Sequence, residues 1–169
     1  MSKKRTKKQN QRKQKKETVK KQSCKLFPDN PDCLESADNR PTIVIKEKQS
    51  EYKGNNVDRK FFCRYRVDEC ILNQSGGKQC DFLLINGVEK ICYFIELKGS
   101  DLIKAVEQLD KTITALKGIL KDYDINGRIV LTRVNITDLR NTKYIRLKNR
   151  LKKLGGTLEQ QSQKFQENL

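Results

Sequence analysis

The chain has 169 residues, with 37 Lys/Arg against 21 Asp/Glu and a net charge of +16. This is the size of one domain, with a basic surplus that suits a polyanion, most simply nucleic acid. It holds no histidine, which excludes imidazole-based nucleophilic and general-base catalysis. It has no G-x-x-x-x-G-K-[ST] loop, which excludes a Walker A phosphate site.

The surplus is uneven. Residues 1–25 hold twelve Lys/Arg against the single acid Glu17. Residues 1–23 are too poor in apolar side chains to offset ordering entropy. Residues 24–41 hold all three prolines (Pro28, Pro31, Pro41) and read as irregular. The expectation is a basic, largely disordered tail over 1–41, with Lys13, Lys15 and Lys16 among its phosphate contacts, and order beginning near Thr42. No apolar segment follows the basic start, and no run approaches the ~18 apolar residues of a membrane span. A cytoplasmic chain is expected, nucleoid-associated or nuclear according to the host. Its six cysteines should then be mostly reduced, with Cys24–Cys33 the one pair to form under oxidation. They show no C-x-x-C spacing for zinc.

A folded domain is expected over 42–158. TIVIKE (42–47) reads as a short strand and 51–59 as a polar loop. KFFCRYRVDECIL (60–72), CDFLLI (80–85) and ICYFIEL (91–97) read as three strands joined by the turns 73–79 and 86–90, an antiparallel meander. Ser100 reads as an N-cap. Leu102, Val106, Leu109, Ile113, Leu116 and Leu120 then form one apolar helical stripe. GRIVLTRV (127–134) reads as a fourth strand, parallel to the third because a helix of this length is the usual crossover. A second amphipathic helix is expected over 138–154, ended by Gly155-Gly156. It overlaps a basic run at 140–153 that contains seven Lys/Arg and no acid. Residues 159–169 read as a loose polar tail. The fold class is α/β (α+β): a small mixed four-stranded sheet with a meander, a crossover helix and a parallel fourth strand.

Three charges interrupt these apolar strands: Asp81, Glu96 and Lys98. An unpaired charge in a buried strand costs several kcal/mol. Glu96 and Lys98 are two apart and share a strand face. Asp81 can meet Glu96 across the hairpin. Two carboxylates that close repel unless a cation lies between them. Mg²⁺ (or Mn²⁺) suits such a site, because it takes oxygen ligands, keeps waters and needs only one or two protein carboxylates beside substrate phosphate. The Leu97 carbonyl is a further candidate ligand. Lys98 is placed to orient or deprotonate a water and to offset phosphate charge.

Asp81, a spacer of fourteen residues, Glu96-Leu97-Lys98 and a following helix together resemble the PD-(D/E)XK nuclease superfamily over about residues 60–134. The resemblance implies a restriction-endonuclease-like core and a Mg²⁺- or Mn²⁺-dependent nuclease cleaving nucleic acid, with DNA the expected substrate and no membrane partner. A homodimer is among the assemblies it allows. It also implies a supporting role for Gln108, which stands where many members carry a helix glutamine. Cys80 replaces the motif's proline. The further acid that the family draws from a preceding helix has three candidates here, Glu51, Asp68 and Glu69, of which Asp68 is preferred by strand face. Arg64, Arg66, Arg146 and Arg150 are the candidate phosphate contacts of the folded part. The competing reading is a non-catalytic nucleic-acid-binding or interaction protein with a decayed site.

Overall fold

The computed structural model describes residues 13, 14, 17, 24–72 and 77–169. Their strands are β1 (Leu34–Asp38), β2 (Thr42–Glu47), β3 (Ser50–Asn55), β4 (Phe62–Arg66), β5 (Phe82–Asn86), β6 (Ile91–Leu97), β7 (Asp124–Leu131), β8 (Leu158–Ser162) and β9 (Lys164–Asn168). Helices α1 (Leu102–Leu116) and α2 (Thr142–Lys153) belong to the folded part, and Lys13, Gln14 and Glu17 are also helical. The fold is mixed α/β with two mixed sheets. The larger has the order β1-β4-β5-β6-β7-β8 and the smaller β2-β3-β9.

The middle of the larger sheet follows from the apolar runs. β4, β5 and β6 pair antiparallel. β7 lies parallel to β6, in register from Ile91↔Asp124 to Leu97↔Val130. α1 is the crossover between them. Its cap is Asp101 and not Ser100, the Asp101 carboxylate accepting from the Lys104 N–H at 3.0 Å. The α2 terminus is a Schellman arrangement: Gly155 takes a left-handed φ of +77°, and Gly156 N–H bonds the Leu151 carbonyl at 3.0 Å.

Alternation along the strands sorts the side chains onto two faces. Cys92 and Phe94 of β6, Leu83 and Ile85 of β5, and Ile129 and Leu131 of β7 pack against the apolar stripes of α1 and α2. Tyr93, Ile95, Leu84 and Val130 pack on the other face, against Ile43, Ile45, Tyr52 and Phe165 of the smaller sheet. The molecule is therefore three layers deep, and β6, β7 and β5 are covered on both faces. Each fully buried Leu, Ile or Phe contributes about 1.5–3 kcal/mol.

The ends of the chain depart from the sequence expectation. Residues 24–41 are not an irregular tail. Cys24 is joined to Cys63 and Cys33 to Cys70, β1 pairs with β4, and Phe27 packs edge-on against Tyr65 with ring centroids 5.0 Å apart. The cysteines expected to be mostly reduced form these two bridges instead, and Cys24 and Cys33, which oxidation could have joined to each other, each take another partner. Each closes a loop of close to forty residues, which removes about 4 kcal/mol of unfolded-state entropy in the chain-entropy model. Cys80 and Cys92 remain as buried thiols. Disulfides persist in oxidising compartments and are rare in the cytosol, which weighs against a cytoplasmic setting.

The loop expected at 51–59 is largely β3, whose burial alternates strictly. The tail expected at 159–169 is β8 and β9, which join different sheets: β8 runs parallel to β7 and β9 parallel to β3. The strand expected over 60–72 stops at Arg66 and turns over Val67–Ile71, with Glu69 at a left-handed φ of 56°. The four expected strands thus become six in the main sheet. No helix among the described residues is long and apolar enough to cross a membrane.

Candidate active site

Asp81, Glu96, Lys98 and Gln108 come together where β5 begins and β6 ends. The β5–β6 register pairs Phe82 with Ile95, so Asp81 stands opposite Glu96 one step beyond the ladder. Glu96 follows Cys92 and Phe94 on the helix-covered face, and Lys98 comes next on the same side. That face brings both under α1, where Gln108 lies on the flank of the apolar stripe.

The hydrogen bonds tie these residues to one another. Asp81 Oδ2 accepts from the Leu97 N–H at 2.7 Å. A strand residue's N–H and C=O share one edge, so the Leu97 carbonyl faces the Asp81 side, past the end of β5. Lys98 Nζ lies 3.4 Å from Glu96 Oε1 and donates to Gln108 Oε1. Gln108 Nε2 donates to the Gln79 carbonyl at 2.8 Å, which fixes its amide with the oxygen toward Lys98. Thr112, one turn on, accepts from the Cys80 N–H at 2.9 Å and anchors the segment leading into Asp81.

One atom in this cluster has no partner. Glu96 is 1% exposed, and its Oε2 is buried without a hydrogen bond. A buried polar group left unmade costs about 1–3 kcal/mol, and more when charged. Burial pushes the Glu96 carboxyl up to about 8, with the Asp81 charge adding to the rise and Lys98 opposing it. Burial likewise raises Asp81 to about 6, against the lowering effect of its Leu97 hydrogen bond. Burial is the main cause of both shifts, and a cation beside the two carboxyls would oppose it.

These groups line a cavity of about 450 Å³. Its other walls were not legible as site residues. Glu47, Lys48, Gln49 and Ser50, from the β2–β3 turn, close one side, and Lys78 and Thr132 contribute elsewhere. The smaller sheet brings this turn in, and Ser50 Oγ donates to the Lys98 carbonyl at 3.3 Å. Their signal in the sequence was only an acid beside a turn, which many loops share.

The candidates for the further acid separate. Asp68 lines the cavity, with Oδ1 accepting from the Gln79 N–H at 2.9 Å. Glu69 is exposed outside it. Glu51 pairs with Lys46 at 2.7 Å on the small sheet. Among the described residues, no group of three or more His, Cys, Asp or Glu is gathered closely enough to form a metal cage by itself. The donor set is instead two carboxylates, one with a free buried oxygen, and an adjacent carbonyl. That set fits a small oxygen-seeking divalent cation which keeps part of its water shell.

The expected phosphate contacts are dispersed. Arg64 is spent on packing: its Nη1 donates to the Val44 carbonyl at 3.1 Å, and its Nε lies 3.0 Å from Glu35 Oε2 without pointing at it. Arg66, Arg146 and Lys13 are exposed. Arg150 pairs with Asp110 of α1. Lys15 and Lys16 lie outside the described residues.

No family model matches the chain, and no curated protein or solved structure is significantly similar to it. What the site can do therefore rests on its own geometry.

Proposed function

We propose that the chain is a metal-dependent nuclease hydrolysing phosphodiester bonds, with DNA as the first substrate to test. The observation that carries this reading is the buried, unpartnered Glu96 Oε2, set between Asp81 and Lys98 at the floor of an open cavity. Lys98 pairs with Glu96 Oε1, so the carboxylate keeps one buried oxygen for a further partner. The β4–β5–β6 meander, the crossover helix α1 and parallel β7 also fit the restriction-endonuclease-like core that the PD-(D/E)XK resemblance implies.

Asp81, Glu96 and the Leu97 carbonyl would hold Mg²⁺ or Mn²⁺, and Asp68 reaches the same cavity. When bound, the ion neutralises the two carboxylates and supplies Lewis-acid polarisation of phosphate and water. The chain's own groups do the rest. Asp81 fixes the Leu97 backbone, and with it the last residues of β6. Lys98 presents its amine to the cavity, where it can hold an attacking water or offset charge growing on a phosphate oxygen. Gln108 positions that amine through Oε1, and the Gln79 carbonyl prevents its amide from turning. The cavity's acids and lysines are nearly balanced, so a bound cation leaves a positive site for a phosphate.

The test is cleavage of plasmid, linear, single-stranded and branched DNA, and of RNA, by the purified chain in Mg²⁺, Mn²⁺ or EDTA. Cleavage that needs metal and is lost in Glu96→Gln is the expected result. Binding without cleavage under every condition would favour the non-catalytic reading.

A further inference from the structure

Two polar side chains beside the site, Gln79 and Thr112, are fully buried without lining the cavity. Groups at that depth keep their hydrogen bonds, and the partners of these two come largely from the site itself.

Gln79 and Cys80 lead into Asp81 and precede β5. Their backbone groups lie outside that ladder, so once buried they need other partners. Helix α1 supplies two. The Cys80 N–H donates to Thr112 Oγ1 at 2.9 Å, and the Gln79 carbonyl accepts from Gln108 Nε2 at 2.8 Å. The Gln79 N–H donates to Asp68 Oδ1 at 2.9 Å. The side chains then tie the same residues a second time. The Thr112 hydroxyl faces the Gln108 carbonyl at 2.7 Å and Gln79 Oε1 at 3.1 Å, and can donate to either. Gln79 Nε2 donates to the Gly77 carbonyl at 3.2 Å. One turn of α1, from Gln108 to Thr112, is thus bonded to the two residues before Asp81.

The two sides of this junction carry different halves of the site. On the strand side, Asp81 accepts from the Leu97 N–H and is a cation ligand in the reading above. On the helix side, Gln108 accepts from the Lys98 amine. We propose that Thr112 is a positioning residue for this site: its hydroxyl, through Gln79 and Cys80, keeps the Asp81 carboxylate and the Gln108 amide in one register. The purpose of that register rests on the nuclease reading; the junction itself does not. A hydroxyl that served only to satisfy the Cys80 N–H would matter for stability and leave the site unchanged. A hydroxyl that sets the register matters for both. Groups hydrogen-bonded behind a metal ligand change metal affinity or activity about 10–100-fold when removed.

The test compares variants of the full chain with wild type, each checked for fold by circular dichroism and for melting temperature. Thr112→Val keeps the shape and loses the hydroxyl, whereas Thr112→Ser keeps the hydroxyl. Gln79→Met reaches the junction from its other side and decides the matter if Thr112→Val does not fold. Asn126→Leu controls for lost stability, because it removes a buried amide that bonds Cys92 and Thr157 and lines no part of the cavity. The first readout is hydrogen exchange of the Gln108 side-chain amide, followed by nuclear magnetic resonance in the metal-free chain. Wild type, Thr112→Ser and Asn126→Leu should protect it, and Thr112→Val and Gln79→Met should exchange it about tenfold faster or more. The second is Mn²⁺ affinity without nucleic acid, which should fall about tenfold or more in Thr112→Val and Gln79→Met and less than about threefold in the other two. Wild-type protection or wild-type affinity in the folded Thr112→Val or Gln79→Met would overturn the proposal. So would a serine variant that fails to rescue, or equal losses in Asn126→Leu. Failure of the nuclease reading looks different. A wild-type chain that neither binds Mn²⁺ nor cleaves sinks that reading, while the exchange of Gln108 still decides the junction.

Discussion

The same sheet buries a charge on each face, and the two are treated in opposite ways. On the face toward the small sheet, Arg128 of β7 is 4% exposed and fully paired. Its Nε and Nη2 donate to the two oxygens of Glu167 at 2.8 and 2.9 Å, and its Nη1 donates to Thr157 Oγ1 at 3.0 Å. The Tyr52 hydroxyl donates to Glu167 at 2.8 Å, and the Tyr93 ring lies 5.3 Å from the guanidinium. On the helix-covered face, Glu96 of the neighbouring strand is deeper still, yet one of its oxygens has nothing to bind. A charge buried to join two layers is satisfied by the layers it joins. The second carboxylate oxygen of Glu96, beside an open cavity, is the atom to which the proposed function assigns a cation.

If that contrast is right, activity and stability should come apart between the two sites. The largest effect is expected in cleavage. Asp81→Ala, Glu96→Ala and Lys98→Ala should each lower the rate by about a thousandfold or more; Glu96→Ala should keep a melting temperature near or above wild type, because burial disfavours its carboxylate, whereas Lys98→Ala removes the cation beside Glu96 and should melt lower. Full activity in Glu96→Ala would remove the role assigned to it. Arg128→Met should do the reverse. It leaves the half-buried Glu167 with only the Tyr52 hydroxyl as partner, which costs up to about 3 kcal/mol in denaturant unfolding, while cleavage by the molecules that remain folded stays near wild type. A mild loss there would mean that the sheets are held chiefly by Tyr52, Phe165 and their apolar neighbours.

Metal should change stability at one site only. Mg²⁺ at a hundred times its dissociation constant stabilises by about 2.7 kcal/mol. The rise in melting temperature should disappear in Glu96→Gln and survive in the Arg128 variant. Stability should also depend on pH. Glu96 titrates near 8 in the fold against 4.5 unfolded. Between those values the native state holds a proton that the unfolded state has released, so stability falls as pH rises through this window. Metal-free wild type should lose melting temperature from pH 5 to pH 9, and Glu96→Gln should flatten that decline. A flat wild-type profile would mean that Glu96 is charged and solvated in the native state.

The centre of the fold was legible because its signals are local. ICYFIEL can only be a strand covered on both faces, and the α1 stripe repeats at helical spacing. Asp81, Glu96 and Lys98 were legible for the complementary reason, as charges where those patterns allow none, and Gln108 only through the family resemblance. β3, β8 and β9 were not. SEYKGN, LEQQS and KFQEN each bury one apolar side chain, Tyr52, Leu158 and Phe165 respectively. They are strands because partners distant in sequence supply their hydrogen bonds and cover that one residue. The same non-local pairing brings Glu47 and Ser50 to the cavity. The cysteine pairs were hidden by the reverse error: Cys63 and Cys70 lie in what reads as one long strand, and the turn at Glu69 that precedes Cys70 leaves no mark in composition.

The central claim is that the buried Glu96 Oε2 is a ligand for a divalent cation. Electron paramagnetic resonance of free Mn²⁺, titrated into the chain near neutral pH without nucleic acid, counts bound ions directly. The account predicts saturable binding to the wild type that Mg²⁺ displaces, and its loss in Glu96→Gln with the fold intact by circular dichroism. Glu96→Gln binding Mn²⁺ as tightly as wild type would contradict it.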